Sequence, residues 1–194
     1  MGFSYSSRAV PYFGELETGD GFFIQEFSEA LLVVIIDALG HGSKAAKLAR
    51  EIEHFLEEHG CEDVEWLMTE LHRVFLGSIG AAVTIVFFDA AHKSANGIGI
   101  GNTLVRQLAS EKRSFPAQPG IVGEMLPTLR PFQFTFADGD VFMFTTDGIK
   151  ENINGDLLPN ANYETVESLS SKFIESFSKP YDDATAIAVR YTDG

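Results

Sequence analysis

The chain has 194 residues, enough to bury most of its apolar surface in one domain, and its 45% hydrophobic and 22% charged content is ordinary for a globular protein. Its 28 acids against 14 Lys and Arg give a formal charge of -14, and such a surface repels nucleic-acid phosphates and anionic lipid, which argues against both as partners. The one cysteine, Cys61, excludes an intramolecular disulfide and a thiolate zinc site, and the longest aliphatic run, Leu31 to Ile36, is far too short to span a bilayer.

The N-terminus, Met1-Gly2-Phe3-Ser4-Tyr5-Ser6, lacks the basic and apolar regions of a secretory signal. It matches the short N-myristoylation pattern at Gly2 and Ser6, a motif of low specificity. The expectation is a cytoplasmic protein, one domain over residues 1–194, with no nucleic-acid and no membrane partner. Gly21 to Phe27 and Leu31 to Asp37 read as strands joined by the polar turn Ser28-Glu29-Ala30. Ala45, Ala46, Leu48, Ala49, Ile52, Phe55 and Leu56 recur at helical spacing, predicting a helix from Ser43 to Glu58 that Gly60 stops. A second helix is predicted from Glu62 to Leu76, with Glu62 and Asp63 complementing its dipole. Val64, Leu67, Met68, Leu71, Val74 and Phe75 form its buried stripe, with Trp66 at the margin.

Strands follow at Ala82 to Asp89, Ser94 to Ile100 and Thr103 to Leu108. Ser110 to Pro131, with four prolines, reads as irregular chain apart from a short strand at Ile121-Val122. Phe132 to Phe136 alternates, and Asp138-Gly139-Asp140 predicts a hairpin turn into Val141 to Thr145. A helix over Tyr163 to Phe177 and a strand over Ala184 to Tyr191 complete the chain. Strands dominate and the helices are not interleaved with them one by one, so the expected class is α+β rather than alternating α/β.

Several acids share a context. Asp20 precedes the first of these strands, Asp37 ends the next, Asp147 ends a strand in Thr146-Asp147-Gly148, and Asp182-Asp183 opens the last. Each lies where an apolar run stops and a small residue follows. Alone, each reads more readily as a turn or cap residue than as a metal ligand. Together they would place carboxylates at a sheet rim, an oxygen-only donor set suited to Mg²⁺ or Mn²⁺.

In order along nearly the whole chain, Gly19-Asp20, Asp37-Ala38-Leu39-Gly40-His41-Gly42, Gly101-Asn102, Thr146-Asp147-Gly148 and Asp182-Asp183-Ala184-Thr185 resemble the motifs of the metal-dependent protein phosphatase 2C (PPM) family, especially its bacterial branch of sporulation and stress-response phosphatases. The resemblance implies an αββα sandwich of two antiparallel β-sheets flanked by helix pairs, with two divalent cations, Mn²⁺ or Mg²⁺, in a cleft at the sheet ends. It implies that Asp37 bridges both ions, that Asp20 and the Ala38 carbonyl complete one site, and that Asp147 and Asp182 complete the other, with Asp183 as the alternative or supporting carboxylate. The family usually has Gly where Ala38 stands, which matters only if that residue needs φ > 0.

The activity implied is hydrolysis of phosphoserine or phosphothreonine by a metal-activated water, without a phosphoenzyme. Asp37 and His41 are then the catalytic candidates. His41 would protonate the leaving oxygen or orient a water, or else simply fix its turn. Arg8 and Arg106 are candidate phosphate contacts, with surface charge as their alternative. By length the chain resembles the stand-alone phosphatases of this branch, whose substrates are phosphorylated stressosome scaffold or STAS-domain proteins. A phosphatase of an anti-anti-sigma factor and a phosphoprotein-binding module without turnover are the alternatives. The acidic surface opposes a nuclease. Specificity is expected in Ser110 to Pro131 and in Asn152 to Asn162.

Overall fold

The computed structural model of the chain describes residues 2–108, 112–153, 161 and 164–193. Among these, one antiparallel sheet has the order β2 (Asp20–Phe27), β3 (Ala30–Ala38), β4 (Ala81–Asp89), β5 (Ser94–Ile100) and β8 (Phe132–Thr135). The other has the order β1 (Gly2–Val10), β10 (Ala184–Thr192), β9 (Val141–Thr145), β6 (Leu104–Gln107) and β7 (Arg113–Pro116).

The continuous apolar run of β3 follows from burial on both faces. Leu31, Val33 and Ile35 pack between the sheets with Phe88, Phe142, Phe144, Ile187, Val189 and Tyr191. Leu32, Val34 and Ile36 point the other way, under α1 (Ser43–His59) and α2 (Val64–Val74). Each such side chain contributes roughly 1.5–3 kcal/mol on burial. The outer face of the second sheet is covered by α3 (Val166–Phe177), whose Leu169 and Phe173 meet Val141, Met143, Ala186 and Ala188. The layering is the expected α+β sandwich, with a helix pair over one sheet and, among the described residues, α3 over the other.

Three strand expectations are corrected. Gly2–Val10 is a full strand, paired residue for residue with β10, where the sequence suggested no element. Its Phe3 enters the inter-sheet core while Ser6 and Arg8 meet Ser170 and Ser171 of α3, so its small polar residues mask the alternation. Arg113–Pro116, read as irregular, forms β7, and Pro116 is tolerated there because β7 is an edge strand. Phe132–Thr135 and Val141–Thr145 are not a hairpin: β8 pairs with β5 and β9 with β6 and β10. The Asp138-Gly139-Asp140 turn instead carries the chain from one sheet to the other. The buried Asp140 carboxylate braces that crossing by accepting from the Ala137 N–H at 2.9 Å and Gln107 Nε2 at 3.0 Å.

In α2, Asp63 is the N-cap, accepting from the Trp66 N–H at 3.0 Å, so the helix begins after it. Val74, expected in the buried stripe, is exposed. Thr165 caps α3 through the Ser168 N–H; Tyr163, its expected start, and most of Asn152 to Asn162 lie outside the described residues. No helix among the described residues is long and apolar enough to cross a membrane.

The topology sets the site. Strand β2 begins, β3 ends, β9 ends and β10 begins at one rim of the sandwich, because each pair runs antiparallel and the sheets face each other there. Four sequence segments that are far apart are thereby brought to one edge.

Candidate metal centre

Asp20 stands directly opposite Asp37 in the β2–β3 ladder. Like charges at such a cross-strand pair destabilise a sheet, and Asp20 is buried while Asp37 is half-buried. Asp20 is 6% exposed and accepts from Thr146 Oγ1 at 2.7 Å, a bond that ties the end of β9 to the start of β2. Burial, only partly offset by this bond, pushes the Asp20 carboxyl up to about 7, with Asp183 and Asp147 adding repulsion. Asp37 is pushed up to about 9, first by burial and then by Asp20, Asp147, Asp182 and Asp183. Burial and then Asp182 also raise Asp147, against the pull of Lys179 and of the hydrogen bond from Asn102.

Asp20, Asp147, Asp182 and Asp183 all bear on Asp37, so the five predicted carboxylates meet along one rim. They are strung along it rather than gathered on a point: among the described residues no three His, Cys, Asp or Glu side chains close on a single ion position. The donor chemistry fits hard divalent cations, since the set is oxygen-only and carries negative charge that a cation would relieve.

The neighbouring backbone answers two questions left open by the sequence. Ala38, fully buried at the end of β3, is not in the left-handed region; Lys93 alone among the described non-glycine residues is. Its N–H donates to the Gly19 carbonyl at 3.1 Å. Alanine is thus unstrained here. Asp182 and Asp183 play different parts. Asp183 is 4% exposed and its two oxygens accept from the Tyr12 N–H at 2.7 Å and the Gly19 N–H at 2.9 Å, which pins the loop preceding β2. Asp182 is half-buried and faces Asp147. Gly148 follows Asp147 because a Cβ there would run into the Asp183 carbonyl.

His41 lies on the exposed lip of the cleft, stacked on Tyr12 at 4.7 Å between ring centroids, with Nδ1 2.9 Å from Glu15 Oε1. The two arginines are not gathered with the carboxylates. Arg8 is exposed on β1 and donates to Ser171 of α3. Arg106 is buried, donating to Thr145 Oγ1 at 3.2 Å and to the Glu151 carbonyl at 2.7 Å, so it braces the chain behind Asp147. Tyr12, Glu15, Thr146 and Lys179 were not singled out from the sequence. Only Thr146 had a signal, its place inside a recognised motif.

The family model for stage II sporulation protein E (SpoIIE) matches residues 28–192. The chain belongs to the SpoIIE family. With that family it falls among the PPM-class protein serine/threonine phosphatases, as the resemblance implied. Phosphoserine phosphatase RsbX of Bacillus subtilis (strain 168) is 24% identical over 177 residues, spanning 90% of this chain and 87% of that protein. Among solved structures, a chain from the bacterial stressosome, a modular system adapted to control secondary messenger signalling, matches with a TM-score of 0.90 and 25% identity. That match covers 98% of this chain and 100% of the other. RsbX in complex with magnesium matches with a TM-score of 0.83, 22% identity and coverage of 96% and 94%. The phosphatase domain of Bacillus subtilis SpoIIE, solved with a fragment of its regulatory domain, matches at 0.81 and 19% identity, over 98% of this chain and 63% of that one.

Proposed function

We propose that this phosphatase, acting as one cytoplasmic domain, hydrolyses phosphoserine or phosphothreonine on a stressosome scaffold or STAS-domain protein with the help of two divalent cations, Mn²⁺ or Mg²⁺. The observation that carries the reading is the rim at which Asp20, Asp147, Asp182 and Asp183 all bear on Asp37, with the Asp20 and Asp37 carboxyls raised to about 7 and about 9 by burial first and then by the neighbouring acids. Similarity to RsbX, a phosphoserine phosphatase whose structure was solved with magnesium, and to a stressosome chain supports the metal and the substrate class.

Asp37 would face both ions, Asp20 and the Ala38 carbonyl one of them, and Asp147 and Asp182 the other. When bound, the ions supply Lewis acidity, acidifying water and offsetting phosphate charge in a chain too acidic to do so itself. Asp183 serves by holding the Tyr12–Gly19 loop against the rim rather than as a ligand. His41, fixed at Nδ1 by Glu15 and stacked on Tyr12, would act as the imidazolium, passing its Nε2 proton to the departing serine or threonine oxygen and becoming neutral. Arg106 supports the Asp147 turn from behind, and Arg8 is assigned no part in phosphate binding. The binding-module alternative drew its support from strain at Ala38, and that residue is unstrained.

The test is hydrolysis of an aryl phosphate and of a serine-phosphorylated STAS-domain protein with Mn²⁺ or Mg²⁺. Both activities are expected to vanish in EDTA and in Asp37→Asn. Metal-independent turnover would sink the proposal, and turnover of the aryl phosphate alone would remove the assigned substrate.

A further inference from the structure

Asp147 is gripped by groups outside the carboxylate set. Asn102, on the turn between β5 and β6, donates through Nδ2 to Asp147 Oδ2 at 2.6 Å. Lys179, between α3 and β10, directs Nζ at the Asp147 carbonyl rather than at one of the many acids around it. The same segment is zipped along the chain leaving β9. The Lys179 N–H donates to the Gly148 carbonyl at 2.7 Å, the Lys150 N–H to the Phe177 carbonyl at 3.0 Å, and Ile149 bridges Ser178. Lys179 lies three residues before Asp182, so the strip that holds Asp147 also delivers Asp182 to it.

We propose that Lys179 and Asn102 are positioning residues for Asp147, clamping its backbone and one carboxylate oxygen so that Asp147 and Asp182 face a divalent cation as a preset pair. This rests on the two-cation reading. Asn102 engages Oδ2 and so fixes the orientation of the Asp147 carboxylate. Lys179 Nζ adds a side-chain tie to the backbone zipper between two segments whose acids, Asp147 and Asp182, repel each other. Its aliphatic stem lets the ammonium reach the Asp147 carbonyl. Partners one layer behind a metal's ligands typically change metal affinity by roughly 10–100-fold.

Mn²⁺ titration of the full chain by calorimetry, paired with thermal melts in EDTA, tests this on Lys179→Met, Lys179→Arg and Asn102→Ala. Wild type is expected to bind two ions. Lys179→Met and Asn102→Ala should each weaken one of them by roughly 10–100-fold, and Lys179→Arg should recover most of that loss. Unchanged affinity in both variants overturns the proposal, as does a Lys179→Met protein that melts lower in EDTA yet binds both ions normally, since its role would then be structural alone. A wild type that binds no Mn²⁺ would instead remove the two-cation reading itself.

Discussion

Replacing Asp37 by Asn should stabilise the metal-free protein while abolishing its response to metal. In the folded chain the Asp37 carboxyl is pushed up from 3.8 to about 9, so without a cation it holds a proton at pH 8 that the unfolded chain has released. A raised carboxyl of this kind lowers stability as pH climbs from about 4 toward 9, because the unfolded state then sheds a proton that the folded state keeps. At 1.36 kcal/mol per unit, the span from 3.8 to pH 8 bounds the cost at about 6 kcal/mol. Asp37 is only half-buried at the rim, and hydration there leaves an expected gain of about 1–3 kcal/mol for the neutral, near-isosteric Asn.

For a chain of this length that gain is a rise in Tm of about 2–10 °C in EDTA at pH 8, shrinking as the pH falls toward 5. With Mn²⁺ at a hundred times its Kd, wild type should gain about 3 kcal/mol per bound ion by linkage, and the variant should gain little. Thermal melts of the two proteins in EDTA and in Mn²⁺, at pH 5.5 and pH 8, should therefore cross over. An Asp37→Asn protein that melts lower in EDTA at pH 8, or that keeps the full Mn²⁺ shift, would refute the reasoning.

Three further outcomes follow from the geometry. Asp183→Ala strands the buried Gly19 N–H and the half-buried Tyr12 N–H and should cost about 2–4 kcal/mol in a denaturant titration, whereas Asp182→Asn should spare apo stability and weaken Mn²⁺ binding. His41→Gln should lower kcat about 10²-fold on phosphoserine substrates, whose leaving alkoxide needs a proton, and far less on an aryl phosphate with an acidic leaving group; equal losses on both would argue for a purely structural histidine. Gly148→Ala should destabilise by about 1–3 kcal/mol through overpacking against the Asp183 carbonyl, read as a shift in denaturant midpoint.

Much of this architecture was legible one residue at a time. The run Leu31 to Ile36 announced a strand covered on both faces, and Ala45 to Leu56 announced a helix laid on one of them, because burial imposes its own period on the chain. The elements that escaped are those whose pattern is set by what lies beside them. β1 shows Ser6 and Arg8 to α3 rather than an apolar face, and β7 is a four-residue edge strand ending in Pro116. At the site, Asp20, Asp37, Asp147 and Asp182 could be nominated from motif order. Lys179 could not, since a lone lysine between a helix and a strand carries no local signal.

The sequence by itself determined which segments are strands and helices in the main, which acids end apolar runs, and that the surface shuns polyanions. Those are properties of short stretches and of total charge. Only the tertiary structure decided that β8 and β9 part company at Asp138-Gly139-Asp140, that Asp183 is bound by two backbone amides while Asp182 faces Asp147, and that Ala38 is unstrained. It also decided that Asp20 and Asp37 share a rung of the ladder, and that lost hydration first, then repulsion from neighbouring acids, raises both carboxyls. A carboxylate's charge state and reach depend on the groups that surround it in space, and antiparallel pairing assembles those from opposite ends of the chain.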